Sequence, residues 1–235
     1  MNHDSFINEC EKIKIKISEE KAKTFSNYYN EIIDYNEKVN LTSITKKEDV
    51  YIKHFLDSVL PINFFKKNSK IIDIGSGAGF PGIPIKIIRN DIRLTMIDSL
   101  NKRVFFLKNI INKFRLKESN AIHSRAEKIA HSKEHREQYD YCVSRAVAPL
   151  NILLEYCIPF IKVNGYFIAY KSIKTEEEVN QSKNAMMILG CEVYKIETHK
   201  IGPEDAERRL IYIKKTKKTD KKYPRDKNLP RKMPI

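Results

Sequence analysis

The chain has too few cysteines, too widely spaced, to read as a disulfide scaffold or a zinc domain. Cys10, Cys142, Cys157 and Cys191 form no Cys-x-x-Cys pair, which points to a reducing cytoplasm and small buried thiols. Long apolar runs are missing as well. No stretch approaches the roughly 20 residues that span a bilayer, so no membrane association is expected, and the first residues lack the apolar core of a secretion signal. Absent too is a Gly-Lys-Ser/Thr phosphate loop, which argues against a nucleoside triphosphatase. Glycine is scarce, seven in 235 residues, so a local concentration of it carries information. Acidic residues are in deficit: 44 Lys and Arg face 30 Asp and Glu, a formal net charge of +14. A hydrophobic fraction of 41% argues against global disorder, and the length suffices for one good core.

What is present is concentrated in Ile71-Ile72-Asp73-Ile74-Gly75-Ser76-Gly77-Ala78-Gly79-Phe80-Pro81-Gly82. This reads as a buried strand ending in an acidic residue and a glycine-rich bend, with a helix starting near Gly82. Such a bend lets main chain approach a nucleotide-like ligand where a Cβ would block it. Asp73 is placed to hold the bend or to reach the amino-acid end of a cofactor, and Phe80 lies within it. Asp98 follows Leu94-Thr95-Met96-Ile97 at the end of a second strand. There a carboxylate accepts from both ribose hydroxyls, as NAD or S-adenosylmethionine would require, or caps the helix that follows. Arg125-Ala126-Glu127 follows a third strand, where a loop frames an adenine ring. The spacing Gly75-x-Gly77-x-Gly79 departs from the G-x-G-x-x-G dinucleotide pattern. It favours S-adenosylmethionine, which needs no pyrophosphate cradle, over a nicotinamide cofactor.

The pattern along the chain predicts residues 1–62 as a helical cap, 63–216 as the core and 217–235 as a basic tail. In the cap, Phe6, Cys10, Ile13 and Ile17 share one face, and Ala22, Phe25, Tyr29 and Ile32 another. A third segment, Lys46 to Leu60, directs Val50, Phe55, Val59 and Leu60 inward. Strands are expected at Lys70–Ile74, Arg93–Ile97, Asn120–His123, Tyr139–Val143 and Gly165–Tyr170. Helices are expected at about Leu150–Cys157 and Thr175–Leu189, and Cys191–Glu197 with Arg209–Lys214 as a closing antiparallel pair. The fold class is therefore α/β, Rossmann-like: a mostly parallel central sheet with a terminal antiparallel strand pair and an N-terminal helical cap.

Residues 214–235 hold ten Lys or Arg against Asp220 and Asp226, more than half of the charge excess. Such a tail attracts phosphate, or simply solubilises a lysine-rich protein. Arg208, Arg209, Lys221, Lys222, Arg225, Arg231 and Lys232 are the candidates for RNA contact. Deleting 217–235 is expected to weaken RNA binding and to spare cofactor affinity. Arg145, after the fourth strand, is the first substrate-side candidate, through its planar donor fork, or else a structural ion pair to Asp73 or Glu155. His54 and Lys171 are further substrate-positioning candidates, each with an alternative structural role. His131-Ser132-Lys133-Glu134-His135 matches H-x-x-E-H, but its polar surroundings read as a solvated connection. No metal is expected.

The ordered set Asn40-Leu41-Thr42, His54-Phe55-Leu56-Asp57-Ser58, the glycine segment through Pro84, Asp98-Ser99-Leu100-Asn101-Lys102-Arg103 and Ser144-Arg145-Ala146-Val147-Ala148 resembles one family. It is the bacterial small-subunit rRNA guanine-N7 methyltransferases, RsmG, also called glucose-inhibited division protein B. The resemblance covers roughly residues 20–235, including the closing Tyr223-Pro224-Arg225 and Pro230-Arg231-Lys232-Met233-Pro234-Ile235. It implies a cytoplasmic, monomeric, class I S-adenosylmethionine-dependent enzyme acting on N7 of guanine 527 in the 530 loop of 16S rRNA. It also implies cofactor contacts at Asp73, Gly75, Gly77, Gly79 and Phe80, with Asp98 at the ribose, Ala126 and Glu127 beside adenine and Arg145 at the mouth. Ser172 stands where members commonly have Gly. Methylation of another RNA site and a noncatalytic RNA-binding role in ribosome assembly are the alternatives, with a nicotinamide oxidoreductase more remote.

Overall fold

The computed structural model describes residues 3–171 and 175–235. Runs rich in β-branched residues from position 70 onward form seven strands: β1 (Lys70–Ile74), β2 (Arg93–Asp98), β3 (Ser119–His123), β4 (Tyr139–Arg145), β5 (Ile161–Lys171), β6 (Cys191–Ile201) and β7 (Ala206–Lys215). They lie in one sheet in the order β3-β2-β1-β4-β5-β7-β6. β1 to β5 pair in parallel, while β7 runs antiparallel to both β5 and β6. This is the mostly parallel sheet with a closing antiparallel pair that the pattern predicts. Strand order reverses between β1 and β4, and there an open α/β sheet leaves a crevice at its carboxyl edge.

Alternation along the strands sends neighbouring residues to opposite faces. Ile71, Val143, Ile168 and Tyr212 enter one core with Phe6, Phe25, Tyr28 and Phe55. Ile72, Cys142, Phe167 and Ile211 enter a second, with Leu153, Phe160 and Leu189. The first core is covered by α1 (His3–Lys12), α2 (Glu19–Asn36) and a composite helix. The latter comprises α3 (Lys47–Val50), a π-helical stretch Tyr51–Leu56 and α4 (Asp57–Val59). These elements share their apolar side chains with the sheet, so the cap has no core of its own. α5 (Gly82–Ile88) and α6 (Asn101–Lys113) complete that layer, and α7 (Ala126–Ile129) follows β3. On the other face lie α8 (Leu150–Cys157), α9 (Thr175–Gln181), α10 (Lys183–Leu189) and one closing turn, α11 (Leu229–Lys232). No helix among the described residues is long and apolar enough to cross a membrane.

Several local expectations are corrected. Tyr28, fully buried, takes the inward place assigned to Tyr29. The latter is half-buried and bonds the Thr45 carbonyl at 3.1 Å. β4 runs two residues further than expected and ends on Arg145, because Ser144 is buried and its hydroxyl donates to the Ile74 carbonyl at 2.8 Å. The helix expected over Thr175–Leu189 is broken at Ser182, whose hydroxyl donates back to the Glu178 carbonyl at 2.6 Å. The tail folds back onto the domain. Arg136 donates to the carbonyls of Thr219, Asp220 and Tyr223, and His131 Nε2 lies 2.9 Å from the Pro224 carbonyl. Two residues of the H-x-x-E-H neighbourhood thus serve to hold the tail.

Candidate active site

The site is built at the carboxyl ends of β1, β2 and β4. Asp73 is fully buried in β1, and its Oδ2 accepts the Gly82 N–H at 3.0 Å, joining the strand to the start of α5. Its Oδ1 is buried without a hydrogen-bond partner. Burial pushes this carboxyl up to about 7, against the lowering effect of the Gly82 N–H. Asp98 closes the other side: Oδ2 accepts the Gly77 N–H and Oδ1 the Leu100 N–H, each at 2.9 Å. The same carboxylate thus ties the glycine bend to the residue that precedes α6.

Two glycines are required by space as well as by backbone. At Gly75, with φ +75°, a Cβ would come within 2.4 Å of Val147 Cγ2. At Gly79, with φ +100°, it would come within 2.6 Å of the Tyr28 hydroxyl. That hydroxyl donates to the Ala78 carbonyl at 2.5 Å, so the helical cap grips the glycine bend directly.

Two cavities open on either side of the segment 145–147. The first, about 330 Å³, is lined by Gly75, Asp98, Ala126, Glu127, Val147 and Tyr156, among others. It unites one bend glycine with the carboxylate and the two adenine-side residues expected from the sequence. Its lining sets the carboxylates of Asp98 and Glu127, the guanidinium groups of Arg125 and Arg231 and the hydroxyl of Tyr156 beside apolar Ile74 and Ile97, a mixed lining suited to a nucleoside. The second, about 320 Å³, is lined by Asp57, Arg145, Ala146, Tyr170, Lys171 and Arg208, with Glu178. Arg145 and Ala146 line one cavity and Val147 the other, so these three residues form the partition. Ala146 adopts φ +56°, a left-handed conformation that costs a non-glycine residue about 1–2 kcal/mol.

Arg145 is held from the cap. Its Nη1 donates to Asp57 Oδ2 at 2.7 Å and to the Lys53 carbonyl at 3.0 Å. Its Nη2 donates to His54 Nδ1 at 3.0 Å. Neither Asp73 nor Glu155 is its ion-pair partner. Asp57, whose role the sequence reading missed, is 4% exposed and also faces Arg208 Nε at 3.5 Å. Because a guanidinium only donates, His54 Nδ1 accepts, and Nε2–H donates to Thr42 Oγ1 at 2.9 Å. Burial, helped by Arg145, lowers the His54 pKa to about 3 and keeps the ring neutral. The imidazole stacks on Phe80 with centroids 4.4 Å apart, and Arg145 Cζ lies 5.1 Å from the same ring. Both ring nitrogens of His54 are thus engaged within the protein. Lys171 is likewise turned inward, 2.6 Å from Glu178 and donating to the Ala148 carbonyl at 2.9 Å. It anchors the segment 145–150; Ser172, next in the chain, lies outside the described residues.

The expected RNA contacts divide into two groups. Lys221, Lys222, Arg231 and Lys232 are exposed. Arg225 forms a two-pronged pair with Glu155, which is 1% exposed, through Nε at 2.9 Å and Nη2 at 2.7 Å. Arg209 pairs with Glu207 at 2.8 Å and Arg208 turns toward Asp57. Arg231 lines the first cavity.

Residues 21–211 match the model of the family GidB, rRNA small subunit methyltransferase G. The chain belongs to this family. A relative from Alkaliphilus metalliredigens, named ribosomal RNA small subunit methyltransferase G, is 44% identical over 96% of this chain and 95% of its own. One of the same name from Lactobacillus acidophilus is 43% identical over the whole of both chains. Among solved structures, a SAM-dependent methyltransferase from Aquifex aeolicus superposes with a TM-score of 0.56 at 16% identity, covering 75% of this chain and 97% of that one. The [4+2]-cyclase SpnF superposes almost as well, at 0.55 and 12% identity over 68% of this chain and 81% of its own. At such identities the likeness shows the fold alone, since one scaffold carries different reactions. Thr42, His54 and Asp57 from the cap meet Arg145 from β4 at the partition.

Proposed function

We propose that this chain transfers a methyl group from S-adenosylmethionine to N7 of guanine 527 in the 530 loop of 16S rRNA. It would do so as a cytoplasmic monomer, on the small subunit or an assembly intermediate of it. The observation that carries this reading is the pair of cavities divided by Arg145-Ala146-Val147 at the β1/β4 edge, in a chain of this family. One cavity suits the cofactor's nucleoside and the other a base delivered from RNA. The residues present fit the cofactor: Asp73 keeps a buried oxygen without a partner, and Gly75 and Gly79 leave room that a Cβ would remove.

When bound, the cofactor supplies an electrophilic methyl group that the in-plane lone pair of guanine N7 attacks without prior deprotonation. The protein's task is then orientation, with no general base required. Asp73, Gly75, Gly77, Gly79, Asp98, Ala126 and Glu127 hold the donor, and Phe80 backs the partition. Arg145, fixed by Asp57 and His54, presents its guanidinium to the second cavity. There it positions the base or an adjoining phosphate. His54 and Lys171 act through Arg145 and through the 145–150 segment. Exposed Lys221, Lys222 and Lys232 supply phosphate contacts, while pocket shape selects the nucleotide.

The test is incubation with labelled S-adenosylmethionine and small subunits lacking the 530-loop methyl group, followed by mass-spectrometric mapping of the RNA. A single N7-methylguanosine at that loop is expected. Methylation elsewhere would retain the enzyme class and reject the target. Absence of transfer from a folded, cofactor-binding protein would favour the RNA-binding role.

A further inference from the structure

The basic tail reads from sequence as an arm for RNA, yet Asn228 and Arg231 line the same cavity as Asp98, Ala126 and Glu127. We propose that the segment Tyr223–Lys232 forms the outer wall of the nucleoside pocket and that Arg231 contacts the adenosine part of the methyl donor. This rests on the S-adenosylmethionine reading above, and it moves Arg231 from the RNA surface to the cofactor site.

Three sets of contacts support it. First, the segment is fixed to the domain. Tyr223 is buried, and Arg225 uses its side chain and its backbone N–H to bond the nearly inaccessible Glu155 on α8. Arg136 and His131 hold the carbonyls of Tyr223 and Pro224 at its start. Second, Arg231 is tied to the partition: its Nη2 donates to the Val147 carbonyl at 2.9 Å. Val147 in turn fills the space beside Gly75, so tail, partition and glycine bend make one continuous rim. Third, Asn228 turns the chain at this point with φ +59°, a left-handed conformation that asparagine tolerates. Its Oδ1 lies 3.4 Å from the hydroxyl of Tyr156, another wall of the cavity. A guanidinium has five N–H donors and a flat face that stacks on a purine. One donor serves Val147, and the group remains part of the cavity lining.

The experiment is calorimetric titration of the full chain with S-adenosylhomocysteine and with 5′-methylthioadenosine, which carries the nucleoside without the amino acid. Arg231→Ala is expected to weaken both by about tenfold, because the lost contact is to the part they share. Lys227→Ala, an exposed cation of the same segment, is expected to change neither by more than about twofold, which separates contact from general charge. Undiminished affinity of Arg231→Ala for methylthioadenosine would overturn the proposal. If Arg231→Ala loses cooperative unfolding, Arg231→Gln, which keeps an N–H donor for Val147, decides by the same criterion. Failure of the unaltered protein to bind either compound would instead sink the S-adenosylmethionine reading itself. The deletion of 217–235, expected from sequence to spare cofactor affinity, is on this structure expected to lower it.

Discussion

Asp57 stands between two guanidinium groups on a helix whose inward residues include Val50, Phe55 and Val59. Its removal would leave Arg145 inside the protein with neutral partners only. Asp57→Ala is therefore expected to cost about 3–5 kcal/mol in urea unfolding, the range for breaking one side of a buried ion pair. Turnover should fall with it. Asp73 makes a different prediction because its folded pKa, about 7, lies above the unfolded carboxylate value. The folded state then holds the proton more tightly, so this group's stabilising contribution is complete below the unfolded pKa. It is lost as pH rises through about 7. Asp73→Asn retains an acceptor for the Gly82 N–H. It should be at least as stable as the unaltered chain at about pH 8, with a flatter melting-temperature profile between about pH 4 and 8. Cofactor affinity should nonetheless fall about tenfold in a parallel titration. At this scale the sequence shows which residues carry unusual chemistry but seldom their partners. A carboxylate in the apolar stripe Val50, Phe55, Val59 was visible. Its partner Arg145 lies 88 positions away, and no local pattern connects them.

Among elements, the decisive junction is α2 against the glycine bend. Tyr28→Phe deletes the hydroxyl and leaves the Ala78 carbonyl without that donor. The expected loss is about 1–2 kcal/mol of stability, measurable by thermal unfolding, with weaker donor binding. The bend itself was legible because a β-branched strand, clustered glycines and an apolar helix follow in immediate succession. α8 was legible to the residue, since Pro149 and Pro159 punctuate it. β4 was not: its polar end, Ser144-Arg145, looks like a loop until Ile74 supplies the acceptor that buries the serine. Tyr28 and Tyr29 are one residue apart and chemically identical, so periodicity alone could not choose the one that enters the core. The π-helical stretch has no sequence mark at all, and it is what presents the Lys53 carbonyl and His54 to one guanidinium.

On the scale of the whole molecule, the parallel sheet and its closing pair followed from alternating apolar segments, whereas the packing of the tail against the domain was not legible in a run of charges. A cation run folds back when the domain offers shielded carboxylates, and here half-buried Glu137 and buried Glu155 do so. Lys215, fully buried, lies 2.8 Å from Glu137, and Arg225 is paired with Glu155. Of the ten cations in 214–235, Lys215 and Arg225 are paired and Arg231 turns to the cavity, so seven remain to meet phosphate. Each phosphate neutralised by a bound cation releases condensed counterions and steepens the dependence of affinity on salt by about 0.7–0.9 in the log–log slope. The tail alone therefore sets a ceiling of about 6 on that slope. A steeper measured value would mean that the rRNA also lies along cations of the folded domain, wrapping the molecule where a tail-bound strand would only touch one edge.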